Sequence, residues 1–189
     1  LVISPAAFAK EHQVVLEERR TRIDDNPIGL MYLRYQAAAH VKGPYRRPVI
    51  GWLPDLQSYQ LDDATKWYRQ WYGPNNAVII ISGDVDPDKT FSLIKLYFSP
   101  LRAITLPQVK SSPELASLGE RHINVRVKAS TPHLLLGFNV PSLKTAKKPW
   151  QPYALSFLSD VLSEGDSAIL RKHLIRDNPV AVSVASYYD

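Results

Sequence analysis

The sequence predicts an α+β chain, in which a helical lead precedes an antiparallel-type sheet with helices packed on one face. Three observations predict this fold class. Residues 1–75 carry helix caps and helical periodicity, short apolar or alternating segments begin at residue 77, and those segments alternate with helical stretches in the order βαββαβ. We therefore expect a helical segment over 1–75 and an α+β unit over 76–189, together forming part of one larger domain.

The helical lead begins with a capping signal. Ser4 can accept a hydrogen bond from the first turn, and Pro5 suits the first helical position, so we predict a helix that runs to about Arg22. Asn26 and Pro27 then break the pattern. The largely apolar stretch 28–40 predicts a second helix.

A loop and a third helix complete the lead. Residues 41–56 are rich in glycine and proline, so we predict a loop there. A helix follows over about 61–72, with two aspartates in its first turn near the positive end of the helix dipole. Gly73 and Pro74 end this helix.

The second unit alternates strands and helices. The apolar run 77–82 predicts a buried strand, and Asp86 with Pro87 starts a helix that runs to about Phe98. Residues 99–118 predict a linking loop. The remaining elements are predicted strands at 121–129, 133–140 and 180–188, a turn at 130–132, and helices at 149–163 and 167–176, the last capped by Asp166.

Composition excludes several classes of protein. The chain has 189 residues and no cysteine, so it has neither a disulfide framework nor a thiolate metal site. No apolar run approaches ~18 residues, so no membrane span is predicted. The net charge of +5 lacks the dense basic stripe of a nucleic-acid binder. The opening "LVISPAAF" resembles a lead-in to a helix, so we expect a fragment of a longer protein.

The first predicted helix carries the candidate site. Its stretch "FAKEH" (8–12) differs by one residue from His-x-x-Glu-His, the inverted zinc-peptidase motif. Glu11 and His12 are neighbours and face different ways, whereas Glu11 and Glu18 lie seven residues apart, only ~20° from two full turns. Phe8 and Val15 share that stripe, so its two acids are either solvated or serve a charged site. His12 falls off the stripe and is interpreted as a surface or packing residue.

Four stretches, in order along the chain, together resemble a known family. They are "FAKEHQVVLEERRTRIDDNP" (8–27), "PYRRPVIGW" (44–52), "WYGPNNAVIIISGDVDP" (71–87) and "LSEGDSAILRKHLIRDN" (162–178). The family that they resemble is the insulinase/pitrilysin family of zinc peptidases, and most of all its bacterial members akin to mitochondrial processing peptidase. In this family the His-x-x-Glu-His helix lies well upstream of the helix that carries the third zinc ligand, so "FAKEH" is a coincidence and not a decayed motif.

The resemblance implies roles for two acids. Glu18 matches the family's zinc-ligating glutamate, and Glu11 matches a second glutamate that supports catalysis. The two histidine ligands and the general-base glutamate are absent, and the five histidines of the chain contain no i, i+4 pair. We therefore expect zinc in the intact protein, none in this chain, and no peptidase activity from this chain alone.

Two functions remain open. The first is a fragment of a zinc endopeptidase that hydrolyses peptide bonds. The second is a non-catalytic partner or structural domain of the same fold, such as an inactive processing-peptidase subunit or a respiratory core subunit. The resemblance implies a peptide or protein substrate, a homologous second peptidase-family domain as partner, and a periplasmic or organellar location.

Overall fold

The computed structural model of the chain describes residues 3–115 and 119–189, and its regular structure is helical. Seven α-helices occur in these residues. They are α1 (Pro5–Arg19), α2 (Pro27–Ala39), α3 (Leu53–Ser58), α4 (Leu61–Trp71), α5 (Pro87–Phe98), α6 (Gln151–Ser163) and α7 (Ile169–Arg171).

Three of these helices begin at side-chain caps, at the positions that the sequence predicts. Ser4 accepts a hydrogen bond from the Ala7 amide at the start of α1. Asn26 accepts two at the start of α2, and Asp86 accepts two at the start of α5. A proline follows each cap. Proline suits this position because it has no amide hydrogen that would need a partner and because its ring fixes φ near the helical value.

The helices also depart from the prediction in four respects. The first helix continues beyond Arg19 as a π-helical turn over Arg20–Asp24, and α7 continues as another over Lys172–Asp177. The short helix α3 lies within the predicted loop 41–56. Asp166 does not cap α7, whose first flanking residue is Ala168 without a side-chain cap.

The α+β fold class predicted from the sequence is wrong for residues 3–115 and 119–189. None of these residues belongs to a β-strand, and no backbone hydrogen bond among them joins the four predicted strands to one another. The predicted sheet with helices on one face is therefore absent, and the regular structure is all α.

The physical reason is that an alternating pattern of apolar residues specifies only part of what a β-sheet requires. Alternating apolar residues favour an extended backbone, but a ladder also needs a second backbone about 4.8 Å away that faces it. The predicted strands lack that neighbour, and most of their apolar side chains are exposed, with none fully buried. Val78, Ile80 and Phe138 are each more than 80% exposed.

The chain divides into two compact units, Leu1–Leu135 and Leu136–Asp189. In the first, α1 packs on α3, and the π turn after α1 packs on α2. In the second, α6 packs on α7. The C-terminal segment is also fastened to α6, because the buried Ser163 hydroxyl accepts a hydrogen bond from the Ser186 amide at 2.9 Å. The predicted division at 75/76 concerns segments of sequence and stays a prediction.

Candidate functional site

One face of α1 packs against the segment around α3. The Phe8 ring stacks on the His12 ring at 5.6 Å and contacts the Tyr59 ring at 5.8 Å. His12 Nε2 lies 2.7 Å from the Leu56 carbonyl oxygen. Because a carbonyl oxygen only accepts, this nitrogen carries the proton. The interpretation of His12 as a packing residue is confirmed.

Arg19 anchors the C-terminal end of α1. Its side chain is 4% exposed, and its guanidinium donates to the Gly51 carbonyl and, at 3.1 Å, to the Asp24 carboxylate. Gly51 has a φ of +90°, a conformation that side-chain-bearing residues rarely adopt. This contact thus ties the last turn of α1 both to the loop before α3 and to the π turn that follows.

Glu11 and Glu18 both lie within α1. Seven residues of helix place them ~20° from the same direction, so the helical face predicted from their spacing exists. Glu11 is exposed, whereas Glu18 is half-buried, with 40% of its side chain exposed. Their roles as catalytic residue and zinc ligand stay predictions.

The two acids differ in their surroundings. Glu18 Oε1 lies 2.9 Å from Arg22 Nη1, one helical turn further on, and Glu11 has no ion-pair partner among the described residues. Glu18 also lines an open surface groove of about 700 Å³ with Lys10, Val14 and Arg22. Glu11 is not part of the groove lining.

Glu17, the acid next to Glu18, forms an ion pair with Arg20. Its carboxylate accepts from Arg20 Nη2 at 2.7 Å. This hydrogen bond, together with the charges of Glu17 and then Asp25, raises the pKa of Arg20 above its usual value, against a small opposing effect of desolvation. Glu17 and Glu18 thus pair with different arginines, although both line the same groove, so the expectation that Glu17 points elsewhere stays a prediction.

The residues present do not make up a zinc site. Over 3–115 and 119–189, no group of three histidine, aspartate or glutamate side chains is arranged to hold a metal ion. A catalytic zinc takes three protein ligands and keeps a position for water. Glu18 is a single carboxylate, and three of the five histidines lie beside other acids: His40 beside Glu114, His122 beside Glu120 and His173 beside Asp177.

The sequence does not predict the contacts of two structurally important residues. Arg19 lies in a run of charged residues whose pattern predicts solvent exposure, yet it is buried. Glu114 lies in the predicted linking loop, yet its carboxylate accepts four backbone hydrogen bonds. In both cases the distant partners are backbone atoms, which leave no signal in residue identity.

Comparison with known proteins identifies the relatives of this chain. A family model described as "Peptidase M16 inactive domain" matches residues 58–189. The chain is 36% identical over 188 residues to a protein named zinc protease PqqE from Helicobacter pylori, covering 95% of this chain and 40% of that protein. It is 25% identical over 187 residues to an uncharacterized zinc protease from Rickettsia felis, covering 98% of this chain and 43% of that protein.

A solved structure agrees with these matches. The backbone superposes on the crystal structure of a protease from Helicobacter pylori with a TM-score of 0.71 and 29% sequence identity, over 100% of this chain and 46% of that one. These matches place the chain among the peptidase families. The chain belongs to the peptidase M16 family, which confirms the resemblance to insulinase-type zinc peptidases.

The chain spans about two-fifths of the length of the curated relatives that it matches. Residues 1–57, which contain Glu11 and Glu18, lie outside the range of the family model. Within the part of the chain that the structure describes, no helix has the length and apolar character needed to cross a membrane.

Proposed function

We propose that this chain is part of a zinc endopeptidase, to which α1 contributes Glu18 as one zinc ligand and Glu11 as a supporting acid. The observation that carries the proposal is the placement of both acids on one face of a single helix, in a chain of the peptidase M16 family. The relatives named zinc proteases support a peptidase as the complete protein.

In this proposal the chain alone is inactive. Zinc prefers imidazole and carboxylate ligands that converge on it, and this chain supplies carboxylates without a histidine pair. The remaining ligands and the water-activating glutamate would come from a His-x-x-Glu-His helix elsewhere in the complete protein. Peptides or proteins are the proposed substrates, with a second homologous domain as the proposed partner.

The test uses the complete protein that contains this chain. Glu18→Gln should abolish both zinc content, measured by metal analysis, and peptide hydrolysis. Glu11→Gln should lower hydrolysis while zinc is retained. Glu17→Gln is the matched control, because this adjacent acid pairs with Arg20 and should change neither property. A complete protein in which Glu18→Gln retains both zinc and hydrolysis would overturn the assignment.

A second candidate function also has an observation in its favour. The family model that matches residues 58–189 is described as an inactive domain, so the complete protein can instead be a non-catalytic partner or structural subunit. This alternative predicts a complete protein that neither contains zinc nor cleaves peptides. The same metal analysis and hydrolysis assay therefore separate the two functions.

A further inference from the structure

The Glu114 carboxylate is enclosed by backbone amides from a distant loop. Its Oε1 accepts hydrogen bonds from Val41 at 2.8 Å and from Lys42 at 3.2 Å, and its Oε2 accepts from Gly43 at 2.8 Å. The amide of Leu115 also donates to Oε1, at 3.0 Å. A single side chain thus holds three successive amides of a loop that lies some 70 residues earlier.

The loop is shaped to receive this carboxylate. A Cβ atom at Gly43 would lie 2.6 Å from Glu114 Oε2, so any larger residue there would have to displace this oxygen from the loop. His40 Nδ1 lies 3.4 Å from the same oxygen and is the titratable group that faces it. Arg46 turns onto the loop itself and donates to the Val41 carbonyl at 2.9 Å, which orders the loop from its other side.

A second attachment lies ten residues before Glu114. The Asn75 side chain and the Ile104 backbone exchange two hydrogen bonds, each 3.0 Å long. We call residues 104–114 the strap. Its side chains are mostly exposed between these two attachments.

We propose that the strap is a conformational latch, fixed at the Asn75–Ile104 pair and released at Glu114. The four amides that hold Glu114 share one carboxylate, so loss of that group breaks all four hydrogen bonds together. The Asn75–Ile104 pair is neutral and independent of them. Release at Glu114 uncovers the amides of 41–43 and leaves the strap joined to this loop by the long hydrogen bond from Ser112 Oγ to the Lys42 carbonyl, at 3.4 Å, while the Asn75–Ile104 attachment holds. This device does not depend on whether the chain belongs to a catalyst.

The first experiment measures backbone hydrogen exchange by NMR on the whole 189-residue chain. Glu114→Gln should accelerate exchange of the Val41, Lys42 and Gly43 amides by at least about tenfold, as expected for local opening in a chain that otherwise stays folded. The matched control is Glu120→Gln, because Glu120 is exposed and its ion-pair partner among the described residues is the exposed His122. Unchanged exchange at 41–43 in Glu114→Gln, with helix content preserved, would overturn the proposal.

Two further variants separate a latch from general unfolding. Gly43→Ala leaves Glu114 in place but blocks its approach, so it should accelerate the same three amides. Asn75→Ala removes the other attachment and should leave them protected. Loss of protection at 41–43 in Asn75→Ala, or full protection in Gly43→Ala, would contradict the latch.

Limited trypsin digestion gives an independent measure of the strap itself. Lys110 is an exposed cleavage site midway along it. Cleavage after Lys110 should be several-fold faster in Glu114→Gln and in Gly43→Ala than in the unaltered chain, and unchanged in Glu120→Gln. Equal cleavage rates in all four proteins would show that Glu114 does not restrain the strap.

Discussion

Arg19 is the residue whose loss should most affect the helix that carries the two acids. Its guanidinium is buried and binds one carbonyl and one carboxylate, so truncation leaves the Gly51 carbonyl and the Asp24 carboxylate without their donor. Because Asp24 is 31% exposed and regains water, the expected cost of Arg19→Ala is about 2 kcal/mol, below the full penalty for breaking a buried pair.

The measurement for Arg19 is the local stability of α1, obtained from hydrogen exchange of its C-terminal amides. Arg22→Ala is the control, because Arg22 is 73% exposed and its pair with Glu18 should contribute less than about 0.5 kcal/mol. Equal effects of the two substitutions would show that burial of Arg19 does not stabilise the helix.

Glu114 should give the strap contact a dependence on acid. Desolvation is the largest single influence on its pKa and raises it, but the hydrogen bonds from Val41, Gly43, Lys42 and Leu115 together outweigh it and lower the pKa from 4.5 to about 2. Since the folded pKa is the lower one, this stabilisation is complete above about pH 4.5 and is lost as the pH falls towards 2.

An NMR titration of the Glu114 side-chain carboxyl should show this lowered midpoint directly. Protection of the amides at 41–43, corrected for the intrinsic effect of pH on exchange, should fall over the same range. In Glu114→Gln their protection should be low and should not vary with pH in that range. A Glu114 midpoint near 4.5 would be inconsistent with the hydrogen-bonded carboxylate.

At the scale of the element, the sequence predicts helices well because their signals are local. A cap and a following proline lie within four residues of the amides that they affect, and α1, α2 and α5 begin where Ser4, Asn26 and Asp86 predict. Helix α3 was missed because Trp52 precedes it without a side-chain cap.

Contacts between distant segments explain what the sequence could not predict. Strand pairing depends on a partner segment, and the alternating stretches of this chain have none among the described residues. The candidate site likewise has one part that the sequence predicts and one part that it does not. The shared face of Glu11 and Glu18 follows from helical spacing alone, whereas Arg19 meets Gly51 across 32 residues of chain.

The attachment of the C-terminal segment to α6 gives a testable element contact. Ser163 is 6% exposed, and its hydroxyl accepts a hydrogen bond from the Ser186 amide. Ser163→Ala therefore leaves that amide without its acceptor. We expect a loss of about 1–2 kcal/mol in the local stability of the segment, measured by exchange of the Ser186 amide. Ser156→Ala, an exposed change on the same helix, should leave this exchange unaltered; similar acceleration in both variants would contradict the role of Ser163.

At the scale of the whole molecule, each of the two units buries few apolar side chains among its described residues. Among the described residues, the buried hydrophobic side chains are Leu33 in the first unit and Ala168 in the second. Large apolar side chains in both units remain exposed, among them Val78, Leu134, Phe138 and Val182.

This surface predicts how the chain should behave in isolation. Burial of apolar area is the main favourable contribution to folding, and the area exposed on unfolding sets the dependence of stability on denaturant. The 189-residue chain should therefore bind a hydrophobic dye such as ANS at neutral pH without denaturant. Its urea transition, followed by far-ultraviolet circular dichroism, should be broad, with an m-value clearly below that of a compact protein of the same length. A sharp transition with an ordinary m-value and no dye binding would show that the isolated chain buries the side chains that are exposed in this structure.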